Sequence, residues 1–129
     1  MTDLDSPDSV IRRFSELLNA RDVESVLALY EPDATFVPEP GRLVAGTDEI
    51  RAALGRFAAL EPELDAEIES VREAGGVALV VNRWSLRGHG PDGPVEMGGR
   101  SADVLRRQSD GSWRVLIDDP WGATAPRSP

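Results

Sequence analysis

Three carboxylates sit where they could do acid–base chemistry: Asp103 in "VEMGGRSADVLRR", and the adjacent pair Asp118 and Asp119 in "VLIDDPWG". Both segments have the period of two that marks a half-buried strand, so neighbouring side chains point to opposite faces. One face of the first strand carries Val95, Met97, Gly99, Ser101, Asp103 and Leu105; the other carries Glu96, Arg100 and Arg106. The first is the interior face, so Asp103 is expected to point inward among apolar neighbours. There burial disfavours its charge and raises its pKa. On the last strand, alternation places Trp113, Val115, Ile117 and Asp119 on one face and Arg114, Leu116 and Asp118 on the other. It favours Asp119 as the inward base, while a bulge near Pro120 exchanges the two. A buried carboxylic acid beside an ionised carboxylate can move protons on a small substrate.

Other candidates are weighed against plainer roles. Glu39, held extended between Pro38 and Pro40, is a base at a cavity mouth or a surface charge. Phe14, Tyr30, Phe36, Phe57, Trp84, Met97 and Trp121, with Ser101, are expected to line a pocket, although core packing is the commoner role of any one aromatic. Tyr30 stands out, because a buried hydroxyl seeks a partner. His89 lies in "GHGPDG", a hairpin tip without supporting groups, and is read as exposed. "GRLVAG" and "GPDG" are read as turns.

These residues need elements to hold them. "SPDSVIRRFSELLNA" reads as a helix capped by Ser6 with Pro7 in its first turn, and Val10, Phe14, Leu17 and Leu18 share one face. "DVESVLALYE" follows as a second helix capped by Asp22, and "DATFVPEPG" as a short strand ended by prolines. "GTDEIRAALGRFAAL" is a third helix, capped by Thr47, with Ile50, Leu54 and Phe57 inward. Four long strands at hairpin spacing complete the chain as an antiparallel meander. The class is α+β: a curved antiparallel sheet forming a cone, with three N-terminal helices on its concave face. The outer face would show Leu79, Val81, Val104 and Leu116 among charges, which points to a homodimer through the sheet.

The 129 residues fit one domain, with its core in 7–122 and loose ends at 1–5 and 123–129. A charge of −9, from 14 basic and 23 acidic residues, argues against nucleic acid and anionic membranes. With no cysteine and one histidine, disulfides, thiolate metal sites and multi-histidine sites within one chain are excluded. No metal and no cofactor is expected. No apolar run reaches the roughly 20 residues of a membrane span, and the polar N-terminus is unlike a signal peptide, so a cytoplasmic protein is expected.

The order of elements, with "LLNARDVESVLALYEPDATF", "GTDEIRAAL" and "DGSWRVLIDDPW", resembles the nuclear transport factor 2-like superfamily of cystatin-like fold. Within it the chain looks most like the ketosteroid isomerase and polyketide cyclase (SnoaL-like) relatives, over roughly residues 7 to 122. The resemblance implies a cone whose mouth takes a small apolar molecule, and cofactor-free isomerase, cyclase or hydratase chemistry. Position by position, the isomerase's helix-one tyrosine falls on Phe14, so that hydroxyl is missing. Its base falls on Pro38, with Glu39 one residue on, and its protonated strand aspartate falls on Asp103. On the last strand the same comparison puts Leu116 and Asp118 inward, against alternation. The alternative is a non-catalytic ligand-binding or dimeric interaction module of the same fold, which needs the cavity but no base.

Overall fold

The computed structural model describes residues 4–124. The elements run α1 (Pro7–Asn19), α2 (Val23–Leu27), β1 (Tyr30–Glu39), β2 (Arg42–Ala45), α3 (Thr47–Ala58), β3 (Glu63–Ala74), β4 (Val77–Gly90), β5 (Gly93–Arg107) and β6 (Trp113–Asp119). The class is α+β: three helices and one curved, unclosed six-stranded sheet, in the order β2-β1-β6-β5-β4-β3. The strands β3 to β6 form the antiparallel meander expected from the sequence. The first strand joins β6 in parallel.

Local chemistry accounts for the helix starts. The Ser6 hydroxyl accepts from the Ser9 backbone N–H at 3.4 Å, and the Ser9 hydroxyl accepts from that of Ser6 at 3.3 Å, with Pro7 beginning α1. Asp22 caps α2 by accepting from the Ser25 N–H at 3.2 Å. The cap of α3 is Gly46, at φ 82°, rather than Thr47, which is the first helical residue. Val10, Ile11, Leu17 and Leu18 of α1 and Ile50, Ala53 and Leu54 of α3 are buried against the sheet.

Two stretches differ from the sequence reading. The second helix stops at Leu27, and Tyr30 opens β1 instead of closing α2. Pro32 explains the stop: it bars helical hydrogen bonding and pushes Glu31 to extended backbone. "GRLVAG" is not only a turn. Gly41, at φ 84°, reverses the chain, and Arg42–Ala45 returns as β2 against β1, pairing Val44 with Phe36.

The site rests on the meander. The "GG" at 75 and 76, both with positive φ, turns β3 into β4. Alternation then buries Ala78, Val80, Asn82, Trp84 and Leu86 on β4, and Ser101, Asp103 and Leu105 on β5. On β6 the alternation breaks. Leu105 pairs with Val115, but Val104 pairs with Ile117, so Leu116 is an extra residue.

The expected loose ends fall partly outside the described residues, which exclude 1–3 and 125–129. What is described at either end is held. The Leu4 carbonyl accepts from the Trp113 N–H at 2.8 Å, and Ala123 donates to the Arg100 carbonyl at 3.1 Å.

Candidate functional site

A cavity of about 80 Å³ lies between the concave side of the sheet and helices α1 and α3. Phe14, Phe36, Phe57, Trp84 and Trp121 supply its aromatic walls, with Ile11, Leu18, Leu54, Leu64, Leu86 and Val115 among its aliphatic ones. Its polar groups are few: Ser15, Asn82, Ser101, Asp103 and Asp118. Four of these form one patch on the sheet floor, because Asn82 pairs with Ser101 and Asp103 with Asp118.

Asp103 is 5% exposed and Asp118 8%. Asp103 is ringed by donors: Asn82 Nδ2 at 3.1 Å and the Ser101 hydroxyl at 3.2 Å on Oδ2, and the Asp119 backbone N–H at 3.2 Å on Oδ1. Asp118 Oδ2 accepts from the Tyr30 hydroxyl at 2.5 Å. The Tyr30 hydroxyl is thus a short, charge-assisted donor from β1.

Burial pushes the Asp103 carboxyl well above the ordinary aspartate range, and the charge of Asp118 pushes it further. Burial also raises Asp118, but hydrogen bonds from Tyr30 and Asp103 oppose the rise. Burial, then the negative charge of Asp118, raises the Tyr30 phenol, so it remains a donor. Of the two, Asp103 is pushed up the more strongly, so two buried acids of unequal proton affinity lie side by side at the edge of an apolar space.

Several expectations are corrected. Asp119 is not the inward carboxylate. The extra residue at Leu116 reverses the alternation, so Asp118 points in and Ile117, not Leu116, lies on the outer face, where it is 40% exposed. The Asp119 side chain instead accepts from the Trp121 N–H at 3.1 Å and closes the turn after β6. Glu39 is on the solvent side of β1, 3.6 Å from Arg42. Alternation gives the inward position to Pro38, which lines the cavity but offers no base. Tyr30 and Met97 do not line the cavity. Tyr30 is packed behind it, edge-on to Phe14 at 6.1 Å, and Met97 packs at the margin of the core. His89 is exposed at the β4–β5 hairpin.

Phe14, Phe36, Phe57, Trp84, Ser101 and Trp121 do line the cavity. Trp84 donates its indole N–H to the Pro120 carbonyl at 2.7 Å and meets Trp121 edge-on at 5.1 Å. Gly99 makes room for this turn: a Cβ there would lie 3.4 Å from the Trp121 ring and 3.3 Å from the Pro120 carbonyl oxygen. Asn82 was missed. Its signal was available, since it is the one polar side chain in the inward series Ala78, Val80, Asn82, Trp84, Leu86.

A curved sheet wrapped around three helices, with an apolar cavity floored by acids, is the nuclear transport factor 2-like architecture. The model of the SnoaL-like domain matches residues 11–116, and the chain belongs to that family. Among solved structures, it is similar to a candidate calcium/calmodulin-dependent protein kinase II association domain from Xanthomonas campestris. That match has a TM-score of 0.78 and 17% identity, and covers 94% of this chain and 86% of the other. It is similar to a candidate scytalone dehydratase from Novosphingobium aromaticivorans, with a TM-score of 0.75, 15% identity, and 86% and 77% covered. It is also similar to an NTF2-like protein with a cystatin-like fold from the same species, with a TM-score of 0.68, 16% identity, and 84% and 74% covered. At these identities the likeness is one of fold. No curated protein matches. Among the described residues, no helix is long and apolar enough to cross a membrane.

Proposed function

We propose that the protein is a cofactor-free acid–base enzyme acting on a small, largely apolar carbonyl compound, in an isomerase, cyclase or hydratase type of reaction. The observation that carries this is the buried Asp103–Asp118 pair at the cavity floor, with Tyr30 bonded to Asp118. Directly paired residues on antiparallel strands have Cα atoms about 5 Å apart, so their carboxyl groups can address neighbouring atoms of one molecule. Asp118 removes a proton from the carbon beside the carbonyl. Asp103, kept neutral, donates to the oxygen as negative charge develops there. Asp118 then returns the proton to a different atom, or the activated carbon adds to a second carbonyl of the same molecule, whose C=O π bond opens to an alkoxide that takes the proton back from Asp118. The aromatic walls hold the apolar body and keep bulk water away. A cytoplasmic setting and a homodimer through the outer sheet face belong to the same proposal.

The test is proton exchange. Small ring ketones such as cyclopentanone, incubated in heavy water with the protein, should lose their α-proton NMR signals faster than in buffer. Asp118→Asn should slow the catalysed exchange by about 10²–10⁴-fold. Equal rates with wild type, variant and buffer would overturn the reading. One observation favours a non-catalytic binding module: the oxygens of Asp103 already have protein donors, as a structural polar cluster does. On that reading, the Asp118→Asn protein binds ketones as wild type does and neither protein exchanges them.

A further inference from the structure

Two indoles meet at the turn after β6, and only one has its N–H bonded. Trp84 donates to the Pro120 carbonyl at 2.7 Å, whereas the Trp121 Nε1–H, shielded from solvent, has no partner among the described residues. A buried donor left unmet costs free energy that native proteins rarely leave unrecovered. The ring's placement shows where a partner would stand. Its Cε3 edge lies against Gly99, on the inward face of β5. Nε1 is on the opposite long edge of an indole, so the N–H is turned away from the sheet floor and across the interior. The turn holds the ring there: Asp119 accepts from the Trp121 backbone N–H at 3.1 Å, and Ala123 donates to the Arg100 carbonyl at 3.1 Å. We infer that the Trp121 indole is a ligand-binding donor, so that the cavity takes an uncharged, largely apolar molecule with a carbonyl or ether oxygen remote from the group that meets Asp103 and Asp118.

The cavity's own polar side chains are engaged elsewhere. Ser15 bonds the Ile11 carbonyl, Asn82 and Ser101 bond Asp103, and Asp118 bonds Tyr30. The indole N–H is thus left for an occupant. Distance along the floor makes its acceptor a second group: Gly99, under the indole, and Asp103 are four residues apart on one face of β5, about 13 Å of strand. Charge sets the rest of the class. Among the described residues no lysine, arginine or histidine lines the cavity, while two carboxyl groups do. A carboxylate or phosphate would leave water for an apolar space with no cation to meet it. The acceptor is therefore a neutral oxygen. The inference rests on the cavity being a ligand site, as the proposed function has it, and not on its being catalytic.

Two ketones of nearly equal shape test it by NMR titration of the backbone amide and indole N–H signals. They are para-diacetylbenzene and para-isopropylacetophenone, in which a methyl group replaces the second carbonyl oxygen. In wild type the diketone should move the Trp121 Nε1–H proton downfield, and the isopropyl ketone should leave it in place. Trp121→Phe keeps an aromatic ring and removes the donor. There the ratio of the two affinities should shift against the diketone by about five- to tenfold, the worth of one hydrogen bond. If phenylalanine prevents folding, the wild-type indole signal decides alone. Asp118→Asn should keep the wild-type ratio even though ketone exchange is lost, so the two readings fail separately. An unchanged ratio in Trp121→Phe overturns the inference, as does a ratio that falls as far in Asp118→Asn. So does a Trp121 indole proton that moves alike with both ketones or with neither, para-acetylbenzoate binding as tightly as the diketone, or no binding of either ketone.

Discussion

Asp103 and Asp118 sit directly opposite one another across the β5–β6 ladder, both facing the cavity. Two carboxyl groups so placed in apolar surroundings cannot both be charged at low cost, so the pair keeps a proton. Burial and the neighbouring charge of Asp118 raise the Asp103 carboxyl the more strongly, while the Tyr30 hydroxyl, at 2.5 Å, favours the charged form of Asp118.

This proton makes stability depend on pH. The Asp103 pKa is raised in the folded state, so its contribution is complete below the unfolded value, near 3.8, and is lost as pH rises through the folded value. Asp103→Asn keeps the shape without the ionisation. Urea unfolding across that range should show the variant gaining stability relative to wild type as pH rises. A constant difference would refute the assignment.

Tyr30→Phe leaves the ring packing and removes the donor to Asp118. The charged form loses a bond of the kind worth about 1.5–3 kcal/mol. The Asp118 pKa should rise further, and the acidic limb of the pH–rate profile should move to higher pH. An unmoved limb with an intact fold would mean that the hydroxyl does not tune the base.

Trp84 joins the sheet floor to the turn after β6 through Pro120 and Trp121. Trp84→Ala should cost about 3–5 kcal/mol in chemical denaturation and weaken binding of every apolar probe. A loss below about 1 kcal/mol would show that the cavity closes without it.

Leu79, Val104 and Ile117 pair across β4, β5 and β6 to form one apolar row on the outer face. Leu79 and Ile117 are each 40% exposed. We expect sedimentation at micromolar concentration to show a dimer, and the double substitution Leu79→Glu, Ile117→Glu to give a folded monomer. A wild-type monomer would rule out this interface.

Most of the fold was legible because long periodic segments state their own type. Strands β3 to β6 and helices α1 and α3 follow from period and caps. The first sheet pair did not, since Tyr30 continues an apolar helical pattern until Pro32 ends it, and β2 has only four residues. The site was half legible. Asp103 could be read because β5 alternates without a break through it. The last strand misled because strict alternation assumes one residue per pair, and the extra residue at Leu116 is a property of pairing that no local pattern carries. Asn82 is legible as the one polar side chain in the inward alternation of β4.

The extra residue at Leu116 also bears on how this strand can change over generations. Were the pairing from Leu105 and Val115 to continue without a break, Val104 would meet Leu116 and Ser101 would meet Asp119, bringing Asp119 to the inner face. Two consecutive aspartates therefore present a carboxylate to the interior in either arrangement, opposite Asp103 or opposite Ser101, two residues apart along β5. Insertions or deletions in β6 move the acid relative to Asp103 without removing it. Such a strand can drift in length and retune the spacing of its two acids while the interior keeps its proton-carrying character.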